Sequence, residues 1–275
     1  MIKKLFNTFK YFSRKISAHK VGAYSAQCAF FLMLSIFPFI ILLLSLVRFL
    51  PFSHEEILGY TEEIMPSAIN SLISDFVKEI RTSSNNAITV ISAGTTLWAA
   101  SKGIYSIIGG LNSVFEERES RHFIKVRFLA LFYTLSFIIM ILLTFVMLVL
   151  GKSIVEWTQN NFPSFYAIIF AIISLRFFIG FCVLVLFFTT IYDTLASGKR
   201  KFFNQLPGAI VAAAGWIAYS LLFSFYIDNF SNYTTIYGSL TAVVLLMLWL
   251  YSCMYILFFG AEINLYYQRK VLGKQ

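Results

Sequence analysis

Four charged side chains lie inside long apolar stretches of this 275-residue chain: Arg48, Lys102, Arg176 and Glu262. Arg48 is close enough to the end of its stretch for its guanidinium to reach the interface. Arg176 is about ten residues into its stretch, where a charge costs roughly 2.5–3.5 kcal/mol unless it is paired or hydrated. A cation in this position either contacts an anion along a polar path or forms a structural ion pair or carbonyl clamp that orders the fold. The sequence leaves both interpretations of Arg176 open.

Other polar side chains near the ends of the apolar stretches are candidates for the same path or for structural bonds. Glu262 either pairs with Lys102 or reaches the end of its apolar stretch, and Asn264 follows two residues later. Gln27 and Asn112 lie near stretch ends, where capping or bonding between helices is the usual explanation.

The chain lacks the residue patterns of known hydrolytic and metal-dependent sites. His19, His54 and His122 are scattered and are not placed with acids at metal-ligand spacing. No P-loop, GxSxG or HExxH motif occurs. We therefore expect no catalytic residues, no metal and no cofactor, and a protein that is not an enzyme. A membrane-embedded transferase remains the open alternative.

Six long apolar segments must position these residues. They run over 29–50, 87–111, 128–150, 166–191, 207–227 and 239–266. Each is close to the roughly 20 residues that a helix needs to cross the hydrocarbon core of a bilayer. Uninterrupted apolar runs are typical of helices rather than of barrel strands. The sequence predicts an all-α, polytopic membrane protein with six transmembrane helices.

The charges between the segments predict the orientation. Sixteen lysines and arginines lie in 1–20, 112–127, 192–206 and 267–275, and only three lie in 51–86, 151–165 and 228–238. Positive loops stay on the cytoplasmic side, so both termini are predicted to be cytoplasmic. The net charge of +9 is then explained by anionic lipid at the inner leaflet rather than by nucleic acid.

Two segments outside the predicted spans complete a single membrane domain over 1–275. Residues 1–20 place apolar and basic side chains on opposite faces of a helix, which predicts an amphipathic helix lying on the inner leaflet. The external loop 51–86 contains apolar residues at helical spacing after Pro66. We expect this loop to pack across the outer mouth of the bundle, as a packing element or as a gate.

Proline and glycine mark predicted kinks and turns. Pro38 removes a backbone hydrogen bond in the first span and predicts a kink. Pro207 and Gly208 open the fifth span, whose small residues predict close packing. Tyr237 and Gly238 precede the last span, where glycine permits a tight turn.

Several blocks in order resemble the YihY / virulence factor BrkB family of bacterial inner-membrane proteins, also labelled ribonuclease BN-like. The resemblance covers about 20–267, and the blocks that carry it are Leu34–Pro38, Leu97–Gly103, Asn112 with Glu119–Arg121, Leu206–Ala209, Tyr237–Leu240, Leu248–Tyr251 and Gly260–Asn264. It implies six helices in the bacterial cytoplasmic membrane. Lys102, Asn112, Tyr237, Glu262 and Asn264 fall in these blocks, whereas Arg176 does not.

Family associations with envelope integrity and with export of lipids or envelope components imply a role in transport. The leading hypothesis is a transporter or export factor for a lipid-like or anionic amphiphilic envelope component. The alternative is a non-transporting scaffold that recruits envelope-assembly proteins, and a membrane ribonuclease is a third hypothesis. Anionic inner-leaflet lipids are the expected partners, and the oligomeric state is not readable from the sequence.

Overall fold

The computed structural model of the chain describes residues 2–47, 86–149, 155, 158–159, 167, 173–229, 240–270 and 273. The predicted external loop 51–86, apart from Asn86, and the predicted turn at Tyr237 and Gly238 lie outside these residues.

The described residues form helices and contain no β-strand, which confirms the all-α prediction for this part of the chain. The helices are α1 (Ile2–Ala18), α2 (Val21–Val47), α3 (Asn86–Val114), α4 (Phe123–Val149), α5 (Arg176–Thr194), α6 (Leu206–Asn229) and α7 (Leu240–Lys270). A short 3₁₀ helix over Phe202–Gln205 leads directly into α6. Each of α2 to α7 overlaps one of the six predicted spans.

Four described stretches are long and apolar enough to cross a membrane: Phe123–Met140, Phe177–Thr194, Phe202–Ile227 and Val243–Lys270. A fifth apolar helical stretch, Val21–Ile36, is shorter. These stretches support a multi-pass protein. The count of six spans and the cytoplasmic location of the termini stay predictions.

The long helices expose large apolar side chains instead of covering them. Phe128 on α4, Phe177 on α5 and Leu221 and Leu222 on α6 are each more than three-fifths exposed. A soluble monomer rarely presents so many large apolar groups to water. A lipid environment accounts for this surface, because hydrocarbon tails are as apolar as the side chains they would cover.

The chain divides into two compact units. Unit 1 contains residues 1–30 and 101–275, and unit 2 contains residues 31–100. In unit 2, the hydroxyl of Thr96 donates to the backbone carbonyl of Ser92 at 2.7 Å. Pro38 lies in the part of α2 that belongs to unit 2, and the helix continues through it to Val47.

Helix α1 packs against α7 within unit 1. The ring of Phe12 lies 5.6 Å from that of Phe259 and 5.4 Å from that of Tyr266. Tyr11 contacts the same Tyr266 ring, at 5.5 Å. Phe12 belongs to the apolar face predicted to rest on lipid, so part of this face contacts protein. The hydrophobic pattern identified the helix but could not distinguish these two apolar surroundings.

Helices α6 and α7 approach closely where two glycines face each other. A Cβ atom added at Gly260 would lie 2.6 Å from the carbonyl oxygen of Gly208 and 2.8 Å from the Cβ of Ala212. The hydroxyl of Tyr192 on α5 fits into the same crossing and donates to the carbonyl of Leu257 at 2.6 Å. The predicted close packing of the fifth span is therefore seen, with Gly208 at the contact and Pro207 in the first turn of α6, where proline is tolerated.

The helix that contains Arg176 has a local break just before it. α5 begins at Arg176 after a turn at Leu175 (φ −91°, ψ 10°), and Ile173 and Ser174 before this turn are also helical. The predicted position of Arg176 deep in the fourth span stays a prediction.

Gly260→Ala tests the crossing of α6 and α7. The added methyl group meets backbone and a tightly placed Tyr192, which cannot move freely, so we expect a loss of about 1–3 kcal/mol of stability. Thermal unfolding in mild detergent would show it as a lower midpoint. The matched control is Gly180→Ala on α5, where an added Cβ meets nothing within 4 Å. Equal midpoints for the two variants would contradict the crossing.

Candidate functional site

Polar and charged side chains gather where the ends of several unit 1 helices meet. The contributing segments are the α1–α2 turn, the end of α3 with the loop that follows it, the α5–α6 connection and the last turns of α7. Left-handed backbone conformations at Lys20 (φ 54°) and Glu116 (φ 57°) end α1 and α3 sharply. These turns bring His19 and Glu116 together, and we call the assembly the polar cluster.

A histidine–glutamate pair forms the buried part of the polar cluster. His19 Nδ1 lies 2.5 Å from Glu262 Oε1, and the two side chains are 7% and 0% exposed. The hydroxyl of Ser113 donates to the backbone carbonyl of His19 at 2.9 Å and fixes the α1–α2 turn on α3. Glu262 Oε2 is buried and meets no hydrogen-bond donor within the described ranges.

Glu116 connects three elements through its carboxylate. Lys15 of α1 donates to Oε1 at 2.7 Å, Arg269 of α7 donates to Oε2 at 2.6 Å, and His19 Nε2 lies 3.3 Å from Oε1. The hydrogen bond from Arg269, followed by that from Lys15, lowers the pKa of Glu116 from 4.5 to about 2. The carboxylate therefore stays charged and holds α1 and α7 at the end of α3.

A second carboxylate, Glu119, joins the loop after α3 to the loop after α5. Its oxygens accept two bonds from the Arg121 guanidinium at 2.7 Å each, one from Asn112 at 2.9 Å and one from the Ser197 hydroxyl at 2.8 Å. Asn112 in turn accepts the backbone N–H of Ser197 at 2.6 Å. The bonds from Arg121 are the main reason that the pKa of Glu119 falls to about 2.

Arg121 also closes the carboxyl end of α5. Its guanidinium donates to the backbone carbonyls of Thr194 at 3.0 Å and Leu195 at 2.6 Å. The last carbonyls of a helix lack partners within it and carry partial negative charge, so a cation there is favourable. Arg121 thus serves two carboxylate oxygens and two carbonyls, which a lysine could not do.

Asn264 fixes the start of α6 against α7. Its side-chain oxygen accepts the backbone N–H of Gly208 at 2.7 Å, and its side-chain nitrogen donates to the backbone carbonyl of Gln205 at 3.0 Å. The amide of Asn264 thereby satisfies the N–H of Gly208, which the first turn of α6 leaves without an intrahelical acceptor, and adds a bond to the carbonyl just before α6. The Gln205 side chain is fully buried, and neither of its polar atoms finds a partner among the described residues.

The carboxylates of the polar cluster form ion pairs with only some of the nearby basic side chains. Lys15, Arg121, Arg200 and Arg269 are bound to Glu116, Glu117 or Glu119. Other basic residues of α1, the loop after α3, the start of α4 and the α5–α6 connection are exposed and form no ion pair with described residues: Lys10, Arg14, Lys20, Arg118, Lys125, Lys199 and Lys201. The outer surface of the polar cluster is therefore positively charged.

The residues predicted as polar candidates fall into two groups. Asn112, Glu262 and Asn264 belong to the polar cluster and its α6 contact. Gln27 is exposed two turns into α2 instead of capping it, because α2 begins earlier than the predicted span.

Lys102 is half-buried on α3. Glu262 neither pairs with Lys102 nor reaches an exposed interface, since it is buried against His19. The side chain of Arg176 is outside the described residues.

Sequence reasoning missed His19 and Glu116 as members of the site. The available signal was Glu262, because a carboxylate in an apolar span demands a partner. Lys102 was the only partner predicted from the sequence for Glu262. Choosing His19 required the turn geometry at the end of α1, which no local pattern encodes. Within the described residues, no three His, Cys, Asp or Glu side chains are grouped so that they could hold a metal ion.

Acidification tests whether the hydrogen bonds and ion pair of Glu119 stabilise the protein. Because the pKa of Glu119 is about 2 against an ordinary 4.5, its contribution to stability is complete above about pH 4.5 and is lost as the pH falls towards 2. We expect Glu119→Gln to lower the detergent unfolding temperature at pH 7 by several degrees and wild type to approach the variant on acidification.

The control for this measurement is Glu117→Gln, since Glu117 makes one long contact, 3.4 Å, with Arg200. It should unfold close to wild type at pH 7. A Glu119→Gln variant as stable as wild type at pH 7 would show that the Glu119 bonds contribute nothing to stability.

Comparisons with known proteins agree with this architecture. The family model described as "Virulence factor BrkB" matches residues 12–275. The ribonuclease-like protein YfkH of Bacillus subtilis is 31% identical over 272 residues, covering 98% of this chain and 96% of the relative. No solved structure matches the chain significantly.

Two further relatives are named as membrane proteins. A UPF0761 membrane protein of Vibrio parahaemolyticus is 25% identical over 93% of this chain and 80% of its own length. One of Haemophilus influenzae is 22% identical over 92% of this chain and 91% of its own length. With its long apolar helices, this chain is a multi-pass protein of the bacterial inner membrane and belongs to the virulence factor BrkB family.

Proposed function

We propose that the chain is a six-span transporter or export factor for an anionic amphiphile of the cell envelope, such as an anionic lipid. In this proposal both termini and the polar cluster face the cytoplasm. The segments with the sixteen loop and tail cations are the predicted cytoplasmic ones, and residues from all four contact one another in the polar cluster. Positive loops on the cytoplasmic side agree with this orientation.

The observation that carries the proposal is the set of exposed cations that the polar cluster leaves unneutralised. Glu116, Glu117 and Glu119 already hold cations of their own, so the remaining lysines and arginines are available to a phosphate or carboxylate headgroup. Each such cation near an anionic surface contributes about 1 kcal/mol of attraction. An anionic amphiphile would gather at this end of the bundle before entering it.

Lys102 extends positive charge from this surface into the bundle. It is half-buried on α3, where the small residues Ser101, Gly103 and Ser106 are buried close to it in the sequence. A headgroup that follows a polar groove past Lys102, with its tails in lipid, needs both the cation and the small neighbours. Arg176 would serve the same path further along, as the sequence suggested.

The first test is native mass spectrometry of gently extracted protein, combined with lipid analysis. We expect wild type to retain one anionic lipid class enriched over the membrane average. Lys102→Ala and Arg176→Ala should each reduce this enrichment several-fold, because they remove cations from the path. Lys125→Ala is the matched comparison, because Lys125 is one of seven exposed cations at the surface and does not lie on the proposed path; its loss should reduce the enrichment much less than Lys102→Ala.

Transport is then measured in proteoliposomes by following movement of a labelled form of the enriched lipid between leaflets. Wild type should move it faster than protein-free vesicles, and Lys102→Ala should slow it. If no lipid class is enriched and all variants behave as wild type, the scaffold hypothesis replaces transport. Crosslinking in cells would then be expected to recover an envelope-assembly partner.

We also propose that the chain is not a ribonuclease, although YfkH is named as ribonuclease-like. The support is the sequence, in which no acid–base or metal-ligand motif was found. Purified wild-type protein should leave single-stranded RNA intact with Mg²⁺, Mn²⁺ or Zn²⁺ added. Cleavage that follows the intact protein through purification would contradict this proposal.

A further inference from the structure

His19 stands between two carboxylates that come from different elements. Its Nδ1 lies 2.5 Å from Glu262 of α7, and its Nε2 lies 3.3 Å from Glu116 after α3. A neutral imidazole has one N–H, so it can donate to only one of two carboxylates. Both contacts exist together only when the His19–Glu262 pair holds an additional proton.

The additional proton can reside on either member of the pair. An imidazolium donates to Glu262 and to Glu116, and a protonated Glu262 donates to Nδ1 while Nε2–H faces Glu116. The proton count is the same in both forms. Loss of this proton leaves Glu262 charged and the imidazole of His19 neutral. One ring nitrogen then presents a lone pair to the carboxylate it faces, so one hydrogen bond is lost and the lone pair and the carboxylate repel each other.

Burial makes loss of the proton costly. The Glu262 side chain is 0% exposed, and its second oxygen, Oε2, has no donor among the described residues. A buried carboxylate with one incomplete partner keeps much of its desolvation cost.

The charged groups that face the pair are Lys15 from α1, Glu116 from the loop after α3 and Arg269 from α7. The two cations oppose an additional proton, and Glu116 favours it. Lys15 and Arg269 are, however, bound to the two oxygens of Glu116 and are 25% and 36% exposed. Water screens the charges of Lys15 and Arg269, whereas the His19–Glu262 contact is buried. The interaction between His19 and Glu262 therefore has the larger influence on whether the additional proton is bound.

The Ser113 hydroxyl holds the turn at His19 on α3 and not on α7, and the remaining attachment of α1 is modest. The Lys15–Glu116 ion pair is partly exposed, and pairs of this kind contribute about 0–1 kcal/mol. The aromatic contacts of Tyr11 and Phe12 with α7 compete with lipid for the same apolar face. The buried pair is thus positioned to decide whether the end of α1 stays against α7.

We propose that the His19–Glu262 pair is a proton-binding site, which holds α1 against α7 when the proton is bound and releases it when the proton is lost. The site links the pH on that side of the membrane, which is the cytoplasmic side in the orientation proposed above, to the position of the amphipathic helix. It is independent of which substrate the protein moves and of whether it moves one.

The test measures the distance between two spin labels by pulsed electron paramagnetic resonance. The full chain is placed in phosphatidylcholine nanodiscs, and its three native cysteines are replaced by alanine. Spin labels are placed at Ser13→Cys and Lys270→Cys, both exposed positions. We expect one short distance near pH 6 and a growing long-distance population towards pH 9. Because a single proton is released, the ratio of the long-distance to the short-distance population can rise by at most about tenfold per pH unit.

Three variants decide the outcome. His19→Gln cannot hold the proton, so its distance distribution should not change with pH. Glu262→Gln removes the buried charge and should also lose the pH dependence, which keeps the test valid if His19→Gln does not fold. His122→Gln, at an exposed histidine in the loop before α4, should behave as wild type.

A wild-type distribution that does not change between pH 6 and pH 9 would overturn the proposal. So would a pH response that persists unchanged in Glu262→Gln, or in folded His19→Gln, because the proton would then bind elsewhere. Neutral nanodiscs contain no anionic lipid, so a change in lipid charge cannot imitate the expected result.

Discussion

The organisation of unit 1 depends on the need to pair carboxylates in and beside an apolar helical bundle. Glu262 is buried on α7, and His19 is the group that reaches it. Glu116, two residues beyond the end of α3, binds Lys15 and Arg269 through its two oxygens. An unpaired charge at a membrane boundary is costly, so these pairs determine how α1, α3 and α7 meet.

The same requirement extends to backbone groups at helix ends. Arg121 satisfies carbonyls at the end of α5 while it binds Glu119, and Asn264 satisfies the first turn of α6. These side chains let the connections between spans remain short without leaving buried polar groups unpaired. On the apolar side, the contact of Gly208 with Gly260 supplies close packing, which is the main attraction between helices in lipid.

The charge balance of this assembly connects structure to the proposed transport. Carboxylates at the polar cluster are already occupied by cations, so the other lysines and arginines face outwards with their charge uncompensated. The result is an internally neutralised layer beneath a positive surface. Such a surface would attract anionic headgroups, and the proposed path continues past Lys102, which is half-buried on α3.

The sequence by itself determined the class of protein and the helical segments, because membrane insertion depends on the length of apolar runs and on loop charge, which are local properties. It also marked Asn112, Glu262 and Asn264 as polar residues in unusual surroundings, and Gly208 as a close-packing position. Only the tertiary structure decided that Glu262 pairs with His19 instead of Lys102, that a turn at Leu175 precedes Arg176, and that Phe12 contacts α7. Pairing depends on which helix ends meet in space, and the cost of a buried charge specifies that a partner must exist without specifying which one.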